Sequence, residues 1–161
     1  MHLNRHVNIH RSTLSGDGLF VDSNKPTGVK KDALLCSYEG IIISATDAAQ
    51  INYNRTCTVK LDDTRVLDGN LKHSFGKFAN DCIVQDQYNA QLAIYDNKVF
   101  LVAIAIILPG AEIFVEYGED YWKDHVHIGL LSADHRMLLY NRGSDAFREW
   151  FERSDYFVEP Q

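Results

Sequence analysis

The chain has 161 residues, 45% hydrophobic and 24% charged, which suits a globular domain with its own core. Its formal net charge of −6 argues against unaided binding to nucleic-acid phosphates and suits a basic peptide partner. The longest apolar run, Val99 to Leu108, is too short to cross a bilayer, so no membrane association is expected.

Val7 to Arg11 reads as a strand, Ser15-Gly16-Asp17-Gly18 as a turn, and Leu19 to Val21 as the next strand. The opening segment to Ser12 is polar and His-rich, without the apolar stretch of a secretion signal. After the turn at Lys25-Pro26-Thr27-Gly28, residues Ala33 to Ile43 predict strand, broken at Glu39-Gly40. Ala45 to Asn54 reads as a short helix or insert, Thr56 to Lys60 and Arg65 to Asp68 as strands, and Asn70 to Ala79 as helix or irregular structure. Ala90 to Tyr95 and Lys98 to Leu108 form a hairpin around Asp96-Asn97. The β-branched run from Val99 predicts a strand buried on both faces. Pro109-Gly110 ends it, and Glu112 to Tyr117 reads as another short strand. His125 and His127 alternate like solvated strand or loop residues. Ser144 can cap a helix whose Phe147, Trp150 and Phe151 share one face. That face either packs on the core or closes over a substrate groove. Short strands with Gly/Pro turns and little helix give a mostly β, α+β class.

Cys36, Cys57 and Cys82 are widely separated and form no CxxC pair, so no metal site is expected and reduced intracellular thiols are.

Four segments stand in a telling order: Ser15-Gly16-Asp17-Gly18-Leu19-Phe20; Tyr38-Glu39-Gly40; Lys77-Phe78-Ala79-Asn80-Asp81-Cys82 with Asn89-Ala90; and Pro109-Gly110-Ala111-Glu112-Ile113-Phe114-Val115-Glu116-Tyr117-Gly118. Each alone is commonplace. Their combination, over roughly residues 5 to 122, resembles the SET-domain family of protein lysine methyltransferases. The resemblance implies a β-clip fold of short strands with a pseudo-knot and a C-terminal helix. The SET domain then spans 1–122, and 123–161 forms a post-SET-like extension.

The resemblance implies S-adenosylmethionine as cofactor and a lysine-containing protein or peptide as substrate, a histone or another basic tail. No direct nucleic-acid binding is expected. The location follows the substrate: nuclear for a histone, otherwise cytoplasmic. Gly16, Asp17, Gly18 and Leu19 match the turn whose main chain contacts the cofactor, where missing side chains permit close approach. Asn80 matches the asparagine that hydrogen-bonds it, with Asp81 and Tyr117 completing the cofactor set. Tyr117 matches the essential catalytic tyrosine, and Tyr38 a tyrosine lining the lysine channel. Val115 stands where many members carry the aromatic residue that limits methyl number. Trp150, Phe151, Tyr156 and Phe157 are the aromatic candidates to close the channel. Glu112 takes the place of an acidic residue that stabilises the knot, and Asp68 recurs without assigned chemistry. The match departs at Asp81, where the family usually has histidine, and in the missing zinc-binding flanks. These departures favour an alternative, a catalytically inactive SET module that binds peptide or protein partners.

Overall fold

Turn chemistry decides where this chain reverses, and a computed structural model describes residues 6–14 and 16–157. Ser15 of the first motif and the ends of both expected domains lie outside the described residues. The chain divides into two compact units: one takes the chain up to Asn80 with Tyr88–Val115, the other Asp81–Gln87 with Glu116 onward. The first is built of small antiparallel sheets and the second of helices, an α+β chain. Among the described residues no helix is long and apolar enough to cross a membrane.

In the first unit, β1 (Val7–Arg11) pairs with β2 (Asp17–Val21), with Gly18 opposite His10. β3 (Leu34–Tyr38), β8 (Lys98–Ala103) and β7 (Ala90–Tyr95) form a sheet in the order β3-β8-β7. The β7–β8 turn is Asp96-Asn97, both with positive φ (51° and 60°), as a type I′ hairpin needs. β4 (Ile41–Ser44), β6 (Arg65–Asp68) and β5 (Thr58–Lys60) make the third sheet, with β6 in the middle. Ser44 then caps a single helical turn, α1 (Ala45–Ala48). Residues 69–79 are irregular, with two short 3-10 turns, Gly69–Leu71 and Gly76–Phe78. A Cβ on Gly76 would lie within 3.0 Å of Leu101 Cδ1, Ser37 O and Tyr38 Cα. The second turn therefore lies close against β3, consistent with the burial of Leu35 through Tyr38 on both faces.

Two strand expectations are corrected. The apolar run from Val99 does not stay in the sheet. β8 ends at Ala103, where its neighbours start with Ala90 and Leu34 and the ladder runs out. Within β8, Val99, Leu101 and Ala103 are buried and alternate with less buried residues, while Ile106 and Leu108 are 68% and 65% exposed. Ile107 alone returns inward, exchanging backbone hydrogen bonds with Val29. Residues 112–117 likewise make no strand, only single bridges from Glu112 to Phe20 and from Phe114 to Asn80. This segment is held from two directions. Ile113 N–H donates to Leu19 O (2.7 Å), while Phe114 N–H and Val115 N–H donate to Asn89 Oδ1 (2.8 Å) and Asn80 O (2.9 Å). Asn89 Nδ2 donates to Glu112 O (2.9 Å).

The second unit packs Ile83, Trp122, Ile128, Leu139, Phe147 and Phe151 into one core. Its helices are α2 (Glu119–Trp122), α3 (His125–Gly129), α4 (Ala133–Arg142) and α5 (Asp145–Glu152). Asp124, Ser132 and Ser144 cap α3, α4 and α5 by accepting from backbone N–H groups, each cap contributing about 1 kcal/mol. The Ser144 cap is the one expected from sequence. The His125/His127 expectation is corrected: both lie on α3, and His127 is buried with its ring stacked on Tyr121 at 4.1 Å. Since a carbonyl only accepts, His127 Nδ1 carries the proton it gives to Tyr121 O (2.9 Å).

Candidate functional site

The residues singled out from sequence fall into two groups, one in each unit. In the first unit the group centres on Asn80, half-buried at the end of the irregular segment. Its Nδ2 donates to Asp17 O and to Glu112 Oε1, both at 3.2 Å. Both amide hydrogens are thereby committed, and Oδ1 is left as an acceptor. Glu112 is the hinge of this arrangement, since its carboxylate lies over Gly18. A Cβ built there would meet Glu112 Oε1 at 2.2 Å. Gly18 is thus needed for close approach, although its backbone is ordinary extended strand. Gly16 is needed for the opposite reason. It takes φ +53° in the turn, and a Cβ there would meet nothing within 4 Å, so the turn is open on that side. Leu19 is fully buried in the core, and its carbonyl accepts from Ile113 N–H.

Tyr38, at the end of β3, is 8% exposed, and its ring packs on Gly69, where a Cβ would lie 2.7 Å from Cε1. Val115 is buried and tied by its N–H to Asn80 O. Asp68, assigned no chemistry from sequence, is a buried acceptor for the Asn70 N–H (2.9 Å) and the Tyr53 hydroxyl. That bond pushes the Tyr53 phenol up to about 12.

In the second unit Asp81 organises the group. Oδ1 accepts from Ile83 N–H (2.8 Å), and Oδ2 accepts from Tyr117 N–H and Trp122 Nε1–H, both at 3.0 Å. Tyr117 is half-buried, stacked on Trp122 (5.9 Å, 22°) and edge-on to Tyr121 (4.6 Å). Burial, reinforced by the Asp81 charge, pushes the neighbouring Cys82 thiol up. Arg142 donates to Ile83 O and fastens the 81–87 segment to α4. Phe151 is enclosed in the core, whereas Trp150 is half-buried beside His125, with ring centres 5.3 Å apart.

Trp122 was given no role from the sequence. The signal that gives Trp122 a role was present: a buried indole N–H needs an acceptor, and Asp81 is an acceptor-only side chain. Among the described residues no group of three His, Cys, Asp or Glu side chains could hold a metal ion. No protein-family model and no curated protein matches the chain.

Proposed function

We propose that the chain is an S-adenosylmethionine-dependent protein lysine N-methyltransferase of the SET type. The observation that carries this reading is the fixed amide of Asn80. With both hydrogens committed to Asp17 O and Glu112, its Oδ1 is left as an acceptor, suited to an ammonium donor such as the cofactor's amino-acid end. The open turn at Gly16 and the main chain of Asp17 and Gly18 would receive the rest of that group. The two-sided bonding of residues 113–115 supports the pseudo-knotted β-clip arrangement.

The cofactor, when bound, supplies an electrophilic methyl on a sulfonium. The chain must then deliver a neutral lysine amine in line with that methyl. Free lysine titrates near roughly 10.4, so the amine is mostly charged at neutral pH. An apolar lining disfavours the ammonium, a role suited to the buried Tyr38 and Val115. Tyr117 orients the amine through its hydroxyl, with its ring held by Trp122 and Tyr121. Positioning supplies most of the rate in such a displacement. The net charge of −6 favours encounter with a basic tail, whether of a histone or of a cytoplasmic protein.

The test is calorimetric titration with S-adenosylmethionine, then mass spectrometry of mixed histones incubated with the protein and cofactor. Binding with methyl mass gains is the expected result. Tyr117→Phe should then lose most turnover while retaining cofactor binding, because it removes one hydroxyl and keeps the ring. A folded chain that does not bind the cofactor refutes the enzyme and leaves the peptide-binding module.

A further inference from the structure

Asp81 is the residue at which the motifs depart from pattern, and its surroundings give it a task. Its side chain is almost wholly buried, and its carboxylate meets N–H donors: the amides of Ile83 and Tyr117 and the indole of Trp122. A buried carboxylate is tolerable only when its oxygens are satisfied, and charge-assisted bonds of this kind are the strong ones. A single oxygen, Oδ2, ties the first and last residues of the segment Tyr117 to Trp122. Between them Gly118 turns the chain with φ +88°, a conformation suited to glycine. Trp122, so anchored, presents its ring face to Tyr117.

A second observation comes from the other oxygen. Ile83 takes φ +65°, a region that β-branched residues almost never adopt, while being 1% exposed. Its N–H is the donor to Oδ1, and its carbonyl accepts from Arg142. Strain of this kind persists only where the surroundings over-determine it, and it gathers at functional sites. Both ends of the anchor are therefore built, one of them with a strained residue.

We infer that Asp81 is a positioning residue for catalysis: its carboxylate fixes the backbone of Tyr117 and, through Trp122, the plane of the Tyr117 ring. This role rests on the methyltransferase reading, in which the Tyr117 hydroxyl meets the substrate amine. An aspartate is required because it is acceptor-only. Asparagine must turn its NH2 toward at least one of these N–H groups, and a histidine nitrogen can accept only one bond.

The test is Asp81→Asn in the full chain, with three readouts. By NMR, the Tyr117 amide and Trp122 indole hydrogens should exchange slowly in the unaltered protein and about tenfold or more faster in the variant. The turnover number should fall about ten- to a hundredfold, the scale of a reacting group displaced by an ångström. The calorimetric Kd for S-adenosylmethionine should stay within about threefold, since only a transition-state contact is lost. Trp122→Phe guards against a variant that merely fails to fold. It removes the indole donor and leaves a smaller aromatic ring in its place, so it should show a smaller loss of turnover with the Tyr117 amide still protected. Unchanged exchange in Asp81→Asn, or faster exchange with full turnover, overturns the positioning role. Parallel loss of turnover and cofactor affinity assigns Asp81 to cofactor binding and also overturns it. An unaltered chain that neither binds the cofactor nor transfers methyl removes the reading on which the role depends, and slow exchange in that chain would show the anchor to be architectural only.

Discussion

Replacing Gly18 with alanine tests how the Asn80 amide is held. The added methyl would sit 2.2 Å from Glu112 Oε1, against the roughly 3.5 Å that unstrained non-bonded atoms keep. It would also lie 3.1 Å from Ser12 Cβ, a contact that a few tenths of an ångström relieve. The carboxylate can swing aside only by giving up the bond from Asn80 Nδ2. A hydrogen bond to a charged group contributes about 1.5–3 kcal/mol. Alanine returns about 0.5 kcal/mol through the conformational freedom that glycine loses in a strand. The net cost should be about 1–2.5 kcal/mol, measured by urea denaturation as a lower midpoint at unchanged slope. In a Glu112→Ala background the obstruction is gone, and the same substitution should become neutral or stabilise by about 0.5 kcal/mol. Equal costs in the two backgrounds, to within about 0.5 kcal/mol, would show that Glu112 is not what Gly18 makes room for.

Further expectations concern the core and the thiols. Phe151→Ala should destabilise the second unit by about 3–5 kcal/mol, since the ring is fully enclosed; urea unfolding followed by tryptophan fluorescence reads this, and a cost under about 1 kcal/mol would contradict the packing. Burial pushes the Cys36 thiol from about 9 up to about 12, so the folded chain keeps a proton that the unfolded chain releases. Unfolding then sheds a proton between those values, and stability should fall as pH rises from 9 toward 12. Cys36→Ala should flatten that slope, and a thiol reagent at pH 8 should modify half-buried Cys57 well before Cys36.

How far the sequence could be read depended on the range of the interaction involved. Asp96-Asn97 is a local turn signal and its hairpin forms where expected, as do β1, β2, β3, β4 and the Ser144 cap. The end of β8 was hidden, because an unbroken apolar run carries no mark of where neighbouring strands stop. α3 and α4 were hidden too: the first spans five residues, and the second has a single buried side chain, Leu139, and so no apolar stripe to betray it. The same distinction runs through the candidate site. The positive φ of Gly16 is a property of its turn. The company kept by Gly18, Asn80 and Glu112 depends on contacts between residues far apart in the chain, as do the donors that Asp81 collects.

The interrupted make-up of the second unit has a consequence for synthesis on the ribosome. Everything in the first unit has been translated by Val115, whereas Asp81–Gln87 must wait for the residues after it. At about 5–20 residues per second, that wait lasts several seconds. During it Ile83 has none of Trp122, Ile128, Phe147 or Phe151 to cover it, and Asp81 has neither the Tyr117 nor the Trp122 donor. A nascent chain stalled in this interval would carry Ile83 without its apolar cover, a state for chaperones to guard.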